Sequence, residues 1–428
     1  MKDLSYKKTI LLNGVRLLIV PIKHVHSIAT AVMVGVGSRY ETVKINGASH
    51  FLEHMVFKGT TKYPTMDDVT IIERVGGLQN AYTDIDVTNY HNKVLSTDWE
   101  LALDINKELV LNPRLEEAWV NKERDVIIEE MKRYEDEPAS KVDETFHAML
   151  YSGTKLGMRT IGEEASLRQT TSRELRAYHD AWYMPDKTVI VIAGDIDEAR
   201  VSSIEKRVSD WFGGMKGKTN GDIEIVKDEQ VKPKLEVITK PDAQQAHLMI
   251  GLRTFARGSE DRFAWGIFNI LMGSGFTSRL FREVREKLGL CYHIRSGSSG
   301  YADVGNWSIY AGVATTKVEE ATQAIIGELE KALDKGVRVD EVNVAKKRLK
   351  TALAFKSEDP EFYTEWFGRQ EVYNQPIMML EDYIKKIDRV SKDQIDVLIR
   401  KYFRTETLNM ALVWSKPRDE KLVNLLKL

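Results

Sequence analysis

The alternation of apolar and polar residues near the start of the chain is typical of short β-strands. Two apolar runs between Thr9 and Ile22 flank Asn13-Gly14, a dipeptide that fits a tight turn, so this segment predicts a β-hairpin. The apolar run from Ile28 to Val36 predicts a buried strand. From Gly47 to Gly59 the pattern becomes helical, with apolar side chains on most faces and three polar side chains on one face.

Similar patterns continue through the rest of the first half, where helices and strands follow one another closely. The predicted helices cover Met66 to Val75, Trp99 to Val110, Leu115 to Met131 and Arg173 to Trp182. The predicted strands cover Asn80 to Val94 and Thr188 to Ala193. Helices and strands of comparable number favour a mixed fold in each part of the chain.

A polar, glycine-rich segment from Gly213 to Pro233 interrupts this pattern and predicts an interdomain linker. The 428 residues are too many for one ordinary domain. We therefore predict an N-terminal domain over residues 1–214, a linker over 215–232 and a C-terminal domain over 233–428.

The second half repeats features of the first. Leu248 to Leu252 matches Val32 to Val36 at an offset of 216 residues, and Thr407 to Leu412 matches Thr188 to Ala193 at an offset of 219. Two matches at nearly the same offset indicate a duplication. The predicted fold class is α+β, with two duplicated domains, each a largely antiparallel β-sheet with helices packed mainly on one face.

Composition narrows the class of protein. The net charge of −2 gives no footprint for nucleic-acid binding. The single cysteine, Cys291, rules out an intrachain disulfide and fits a reducing compartment. No secretory signal or apolar run long enough to span a membrane is recognised, so a cytoplasmic location is expected.

The polar face of the Gly47–Gly59 helix carries the sequence His-x-x-Glu-His at His50, Glu53 and His54. These positions are spaced i, i+3 and i+4, so their side chains lie together on one helical face. Two imidazoles placed this way can bind one Zn²⁺, and the carboxylate beside them can take a proton from a zinc-bound water. A pair of core histidines is the alternative, and it explains the intervening glutamate less well.

A catalytic zinc usually needs a third protein ligand from another element. The helix predicted from Leu115 to Met131 offers Glu123 and Glu130, which are seven residues apart and share nearly the same face. Glu129 points about 100° away from Glu130. The segment is rich in charge, so a solvated face is an even alternative, although Ile127 between the two glutamates makes it less favourable.

These residues resemble a known pattern, that of the M16 zinc metallopeptidases, which include pitrilysin, insulin-degrading enzyme and the mitochondrial processing peptidases. The family pattern is His-x-x-Glu-His followed about 76 residues later by a ligand glutamate, and His54 and Glu130 are 76 positions apart. The resemblance implies that His50, His54 and Glu130 bind zinc, that Glu53 is the general base and that Glu123 is an outer carboxylate. The chain is most similar to the short-chain members of the family.

Two further segments carry the resemblance. Gly76 to Thr83 is similar to the edge strand of the family, which implies substrate binding at Asn80, Ala81 and Tyr82 by strand addition. Arg285 and Tyr292 are similar to a C-terminal Arg/Tyr element, which implies stabilisation of the oxyanion. Without the resemblance, an ordinary strand, a solvated arginine and a core tyrosine are the simpler interpretations.

The function implied is that of a zinc-dependent endopeptidase that cleaves peptides or unfolded segments in a clamshell chamber. Because short-chain members pair into two-chain assemblies, a homodimer or a heterodimer with a related chain is expected, and the Arg/Tyr element acts in cis or in trans. The alternative is a non-catalytic or weakly active peptide-binding or scaffold subunit with the same fold. Such subunits lose metal ligands, and this sequence keeps them.

Overall fold

The computed structural model describes residues 4–219, 223–227 and 230–428. Its strands are β1 Lys7–Ile10, β2 Arg16–Pro21, β3 Ser27–Val34, β4 Leu78–Thr83, β5 Thr88–Leu95, β6 Thr188–Gly194, β7 Lys234–Thr239, β8 Gln245–Thr254, β9 Cys291–Gly300, β10 Gly305–Ala314 and β11 Asn409–Trp414.

The α-helices alternate with these strands and cover most of the remaining described chain. They are α1 Ala48–Val56, α2 Met66–Val69, α3 Ile71–Arg74, α4 Trp99–Leu111, α5 Glu117–Asp136, α6 Pro138–Leu150, α7 Glu164–Gln169, α8 Ser172–Trp182, α9 Glu198–Phe212, α10 Asp261–Gly273, α11 Val318–Lys335, α12 Val339–Lys356, α13 Pro360–Val372, α14 Leu380–Arg389, α15 Lys392–Tyr402 and α16 Glu420–Asn424. A π-helical segment covers Phe281–Lys287. None of the described helices is both long and apolar enough to cross a membrane.

By packing, the described residues form two units. The first unit takes its residues from 1–131, 158–224 and 354–379, and the second from 132–157, 225–353 and 380–428. The boundaries predicted from sequence, 1–214 and 233–428, divide the chain by position, whereas packing places the segments 132–157 and 354–379 with the opposite half. The apolar stripe of a helix shows that it covers a sheet but does not show which sheet it covers.

Each unit is built on one sheet, and the two sheets share a topology. The first sheet has the order β1-β2-β6-β3-β5-β4 and the second β7-β11-β8-β10-β9. In each, one pair of strands is parallel (β2 with β6, β7 with β11) and the other pairs are antiparallel. Without β1, the first sheet has five strands in the order β2-β6-β3-β5-β4, and each corresponds in turn to a strand of the second sheet. This correspondence confirms two duplicated α+β domains.

The register corrects the residue-level match between the halves. Val32 pairs with Ile190 in the first sheet, and Leu248 pairs with Leu412 in the second. If the central strands correspond at an offset of 216, the last strands correspond at 222, because residues 190 and 412 are 222 positions apart. The offset of 219 read from the sequence is therefore not compatible with that of 216, since a shift of three residues turns a strand's side chains to the other face.

The first sheet has a larger core on one face and a smaller one on the other. Helices α1, α4, α5, α8 and α9 contribute to the larger core, which contains Phe51, Ile127 and Phe212. Helix α13 covers the other face, where Phe367 packs with Met33. The first unit therefore has most of its helices on one face of the sheet, as predicted, and α13 is an additional helix on the other face.

Two local predictions need correction. The helix predicted over Met66 to Val75 is two short helices, because Thr70 leaves the helical region at φ −86°, ψ 17°.

The strand predicted over Asn80 to Val94 is the hairpin of β4 and β5. Its turn is closed by a hydrogen bond from Asp84 N–H to Val87 C=O, at 2.8 Å. No glycine or proline marks this turn in the sequence, so the two strands read as one. The first hairpin, β1 with β2, is confirmed.

Candidate metal centre

Helix α1 carries the three polar residues of the predicted site on one face. Its other faces are buried, with Phe51, Leu52 and Met55 at most 1% exposed. Burial of these apolar side chains fixes the rotation of the helix about its axis. His50, Glu53 and His54 are therefore held together on the remaining face.

The start of α1 is held by a residue that the sequence analysis did not single out. Glu41 is fully buried, and its carboxylate accepts hydrogen bonds from the backbone N–H groups of Gly47 and Ser49, both at 2.7 Å, and from Asn46 Nδ2 at 2.9 Å. Burial raises the pKa of Glu41 to about 7, although these hydrogen bonds lower it. An acidic residue just before a helix that has no Ser, Thr, Asp or Asn cap was the available signal.

Helix α5 brings Glu130 to the two histidines. Glu130 Oε2 lies 3.5 Å from His54 Nε2 and 3.8 Å from His50 Nε2, and the two imidazole rings are 4.6 Å apart between centroids. Among the described residues, these three form the one group of His, Cys, Asp and Glu side chains whose ligand atoms lie within 4.8 Å of one another.

The donor set and its spacing fit zinc. Ligand atoms at about 2.0–2.1 Å from a tetrahedral ion are about 3.3 Å apart, so the observed distances need only small side-chain adjustments. Two imidazoles and one carboxylate are also a ligand set of zinc hydrolases. The two histidines and Glu130 could therefore hold Zn²⁺ with one position left for water.

Glu123 lies on the far side of His54. Its Oε1 is 2.9 Å from His54 Nδ1, and its Oε2 is 2.8 Å from Lys58 Nζ. A hydrogen bond at Nδ1 leaves Nε2 of His54 as the nitrogen that can bind a metal. In contrast, the buried Nδ1 of His50 has no hydrogen-bond partner in the described part of the chain. Geometry thus separates the two glutamates, with Glu130 at the ligand nitrogens and Glu123 behind one imidazole.

The residues of this cluster differ in the direction in which their pKa values are shifted. Burial and the nearby His54 lower the pKa of His50 to about 4. Burial also disfavours the charged form of His54, but its hydrogen bonds to Glu123 and Glu130 outweigh this and raise its pKa to about 9. The pKa of Glu123 is lowered, because its bonds to His54 and Lys58 outweigh burial.

Glu53 stands beside the donor group without belonging to it. Its Oε2 accepts a hydrogen bond of 2.7 Å from the Thr83 hydroxyl at the end of β4. Burial raises the pKa of Glu53, against the hydrogen bond from Thr83. The sequence analysis gave Thr83 no role of its own, and its place in the block from Gly76 to Thr83 was the only signal.

Strand β4 is an edge of the first sheet, since it pairs with β5 alone among the described strands. Its side chains alternate between the faces: Thr83 reaches Glu53, Ala81 packs on the same core as α1, and Tyr82 points to α13. The Tyr82 hydroxyl donates to Glu365 at 3.0 Å and accepts from Arg369 Nη2 at 3.0 Å. The exposed Asn80 accepts the Ala81 backbone N–H at 2.9 Å.

Arg285 and Tyr292 belong to the second unit. Arg285 lies in the π-helical segment, and its guanidinium stacks over the rings of Phe281, at 4.7 Å, and Tyr292, at 5.2 Å. Tyr292 is 78% exposed. The two predicted residues are therefore neighbours on the surface of this unit, while His50, Glu53, His54 and Glu130 belong to the other.

The chain matches two family models and a named relative over most of its length. Residues 18–164 match the family model described as insulinase (peptidase family M16), and residues 170–349 match the peptidase M16 inactive domain. An uncharacterized zinc protease of Bacillus subtilis, YmxG, is 33% identical over 403 residues, which cover 94% of this chain and 96% of that protein.

Two solved structures share the fold along the whole chain. A protease from Helicobacter pylori superposes with a TM-score of 0.90 at 23% identity, covering 97% of this chain and 100% of the other. A peptidase M16 inactive domain from Pseudomonas fluorescens superposes with a TM-score of 0.88 at 19% identity, covering 97% and 99%. In this chain, the described metal group lies within the segment that matches the insulinase model.

Proposed function

This chain belongs to the M16 family of peptidases, and on that premise we propose that it is a zinc-dependent endopeptidase that cleaves peptides or unfolded segments. The observation that supports this most is the convergence of His50 Nε2, His54 Nε2 and Glu130 Oε2, with the Glu53 carboxylate beside them. A purely structural metal site is usually closed by four protein ligands, whereas this group offers three. Three ligands and an adjacent base are the arrangement that hydrolysis requires.

Bound zinc would polarise the scissile carbonyl and increase the acidity of the attacking water. Glu53 then takes the proton from that water and passes it to the departing amine. The hydrogen bond from Thr83 fixes one Glu53 oxygen and leaves the other for the proton transfer. Glu123 holds His54 in the tautomer that binds metal through Nε2.

The open edge of β4 is the proposed binding site for the peptide backbone. An extended peptide that adds to this edge gains main-chain hydrogen bonds that do not depend on its sequence. Asn80, Ala81 and Tyr82 lie along the strand, and Thr83 links its end to Glu53. A peptide on this edge would therefore run past the proposed base.

Arg285 and Tyr292 are proposed to stabilise the oxyanion, because a cation and a phenol donor can both bind developing negative charge. They would do so in a clamshell chamber formed by a homodimer, or by a heterodimer with a related chain. The proposal includes a cytoplasmic location, for which the single cysteine is the support.

The test uses three substrates with the purified full chain: a quenched unstructured peptide, a chemically unfolded protein and the same protein in its stable folded form. We expect cleavage of the first two, loss of cleavage on treatment with a metal chelator, and recovery on addition of zinc. The folded protein should stay intact, because strand addition needs an extended segment. Binding of zinc and peptide without turnover would instead favour a peptide-binding subunit, and rapid digestion of the folded protein would contradict an enclosed chamber.

A further inference from the structure

We infer that Lys58 is a positioning residue of the metal centre, one that acts through Glu123 to orient His54. The inference rests on the proposed zinc site. Lys58 has no contact with the three proposed ligand atoms in the described structure, so it is not a ligand or a catalytic residue.

The contact that carries the inference is a carboxylate held from both sides. Glu123 is 5% exposed; one of its oxygens contacts His54 Nδ1 at 2.9 Å and the other contacts Lys58 Nζ at 2.8 Å. The Lys58 side chain is only 16% exposed, which is low for a lysine. Two short contacts on opposite oxygens define the plane of the carboxylate and thereby the direction of the bond to His54.

The backbone around Lys58 is also constrained. Lys58 lies in the turn after α1, and its N–H donates to Met55 C=O at 3.0 Å. The next residue, Gly59, has φ 140°, and a Cβ placed there would lie 2.5 Å from Pro64 C=O. Only glycine fits at position 59. The chain turns away from α1 there, while the side chain of Lys58 contacts Glu123 of α5.

The two imidazoles show why this support matters. His54 has the carboxylate of Glu123 at its second nitrogen, whereas the second nitrogen of His50 has no partner among the described residues. The orientation of the donor group therefore depends on the His54 side. If the ammonium is removed, one Glu123 oxygen loses its partner in a nearly buried site, and the carboxylate can turn away from His54.

The alternative is that Lys58 only fastens the end of α1 to α5 and contributes to folding. The two roles differ in their dependence on Glu123. A positioning role disappears when Glu123 can no longer act as a charged acceptor, while an independent effect on folding or on the helix persists. A double-mutant cycle on zinc affinity separates them.

The experiment measures the zinc dissociation constant by competition with a chromophoric chelator. The full-length proteins are wild type, Lys58→Met, Glu123→Gln and the double variant. Loss of an outer partner of a metal ligand typically costs about 10–100-fold in affinity, so we expect about tenfold for Lys58→Met and more for Glu123→Gln. In the Glu123→Gln background, Lys58→Met should change the constant less than about twofold. Lys58→Arg, which keeps the charge and the donors, should restore most of the affinity.

Lys62→Met is the matched control, because Lys62 lies four residues further along the chain, pairs with Asp104 and is not part of the cluster. It should bind zinc as the wild type does. Lys58→Gln removes the same charge and replaces the Met variant if that variant does not fold. Unchanged zinc affinity in Lys58→Met, or an equal loss with and without Glu123, would overturn the inference while the zinc site stands. Failure of the wild type to bind zinc would overturn both.

Discussion

The two units have the same strand topology, but they differ in the helix that follows the central strand, β3 in the first unit and β8 in the second. In the first unit this helix is α1, which leaves His50, Glu53 and His54 on one face. In the second unit the corresponding helix is α10, whose buried residues are almost all apolar. Among the described residues, the His-His-Glu group is therefore not a property of the duplicated scaffold, which forms in both units and carries this group in one.

Aromatic side chains pack around α10 in the second unit. Trp265 and Phe268 of α10 join an aromatic cluster with Trp307 and Phe403. A Cβ at Gly273 would lie 2.4 Å from the backbone nitrogen of Ser296, so the end of α10 approaches the edge strand β9 very closely. In the first unit, Thr83 of the edge strand β4 donates a hydrogen bond to Glu53 of α1.

The second unit also has a polar contact between this helix and its edge strand. Asn269 of α10 accepts hydrogen bonds from the Ser296 hydroxyl at 2.7 Å and from Trp307 Nε1 at 2.9 Å. These bonds satisfy polar groups within a packed layer, as buried polar groups require. Both copies therefore keep a polar contact between this helix and the edge strand, and α1 of the first unit adds the two histidines of the His-His-Glu group.

The largest expected effect comes from the base in the first unit. Glu53→Gln should lower turnover on an unstructured peptide by about 10²–10⁴-fold, since loss of a general base typically costs this much. Zinc content should stay at that of the wild type, because Glu53 is outside the donor group. Elemental analysis and peptide cleavage measure the two quantities. Glu330→Gln, at an exposed acid of the second unit, is the control and should change neither. Cleavage by Glu53→Gln at the wild-type rate would refute the assignment of the base.

The next effect concerns the ligand. Glu130→Gln should lose zinc affinity by more than the roughly 10–100-fold that an outer partner is worth, because a neutral amide replaces a ligand carboxylate. Dialysis followed by elemental analysis should show one zinc per wild-type chain and much less in the variant. The neighbouring exposed Glu129→Gln is the matched control and should keep its zinc. Full zinc occupancy in Glu130→Gln would show that another carboxylate is the ligand.

The third prediction tests whether the second unit contributes to the site at all. Arg285→Ala should lower turnover by about 10²-fold if it removes an oxyanion donor. If the Arg/Tyr element acts in trans in a dimer, mixing Arg285→Ala chains with Glu53→Gln chains should restore activity, because one of the two sites then has neither defect.

The control for that experiment mixes Glu53→Gln with Glu130→Gln. Both defects then lie in the first unit, so every site in the mixed dimer keeps one and activity should stay absent. No recovery in the Arg285→Ala mixture, once subunit exchange is demonstrated, would exclude the trans arrangement and leave the zinc site unaffected.

The smallest effect concerns the support that Glu41 gives to the start of α1 in the first unit. Glu41 has a pKa of about 7 in the folded protein and an ordinary value of 4.5, so the native state binds its proton more tightly than the unfolded state does. The resulting stabilisation is complete below about pH 4.5 and is lost as the pH rises through 7. The free energy of unfolding should therefore fall by on the order of 3 kcal/mol across this window from this group.

Glu41→Gln removes the titration and is the reference for this measurement. Denaturant unfolding of the zinc-free proteins at several pH values should give curves whose difference changes between about pH 4.5 and 7 and is constant outside that window. Parallel curves for wild type and Glu41→Gln across the whole range would mean that Glu41 has the same proton affinity in both states.

Much of the site was predictable because its information is local or has a fixed spacing. His50, Glu53 and His54 share a helical face by spacing alone, and the distance of 76 residues to Glu130 identified the partner helix through the family resemblance. The structure brings His50, His54 and Glu130 together, and Glu53 lies beside them. The hairpin at Asn13-Gly14 and the central strand were also predictable, since turn chemistry and apolar runs are local signals.

Other features depend on contacts between residues that are distant in the chain. Glu41 accepts hydrogen bonds at the start of α1, and Lys58 contacts Glu123 of α5. Both contacts result from tertiary packing, and the spacing of apolar and polar residues does not predict them. The sequence also does not show that α6 packs with the second unit and α13 with the first. The apolar stripe of a helix can pack on many surfaces, so it does not identify the sheet that the helix covers.

By itself, then, the sequence determined which side chains can act as ligands and base, because the helical repeat converts spacing into a shared face. The pattern of the residues left Glu123 and Glu130 equivalent, and the family resemblance favoured Glu130; the tertiary structure places Glu130 at Nε2 of His54 and Glu123 at its Nδ1. Those two glutamates are two helical turns apart on nearly the same face, and only the position of α5 against α1 makes them different.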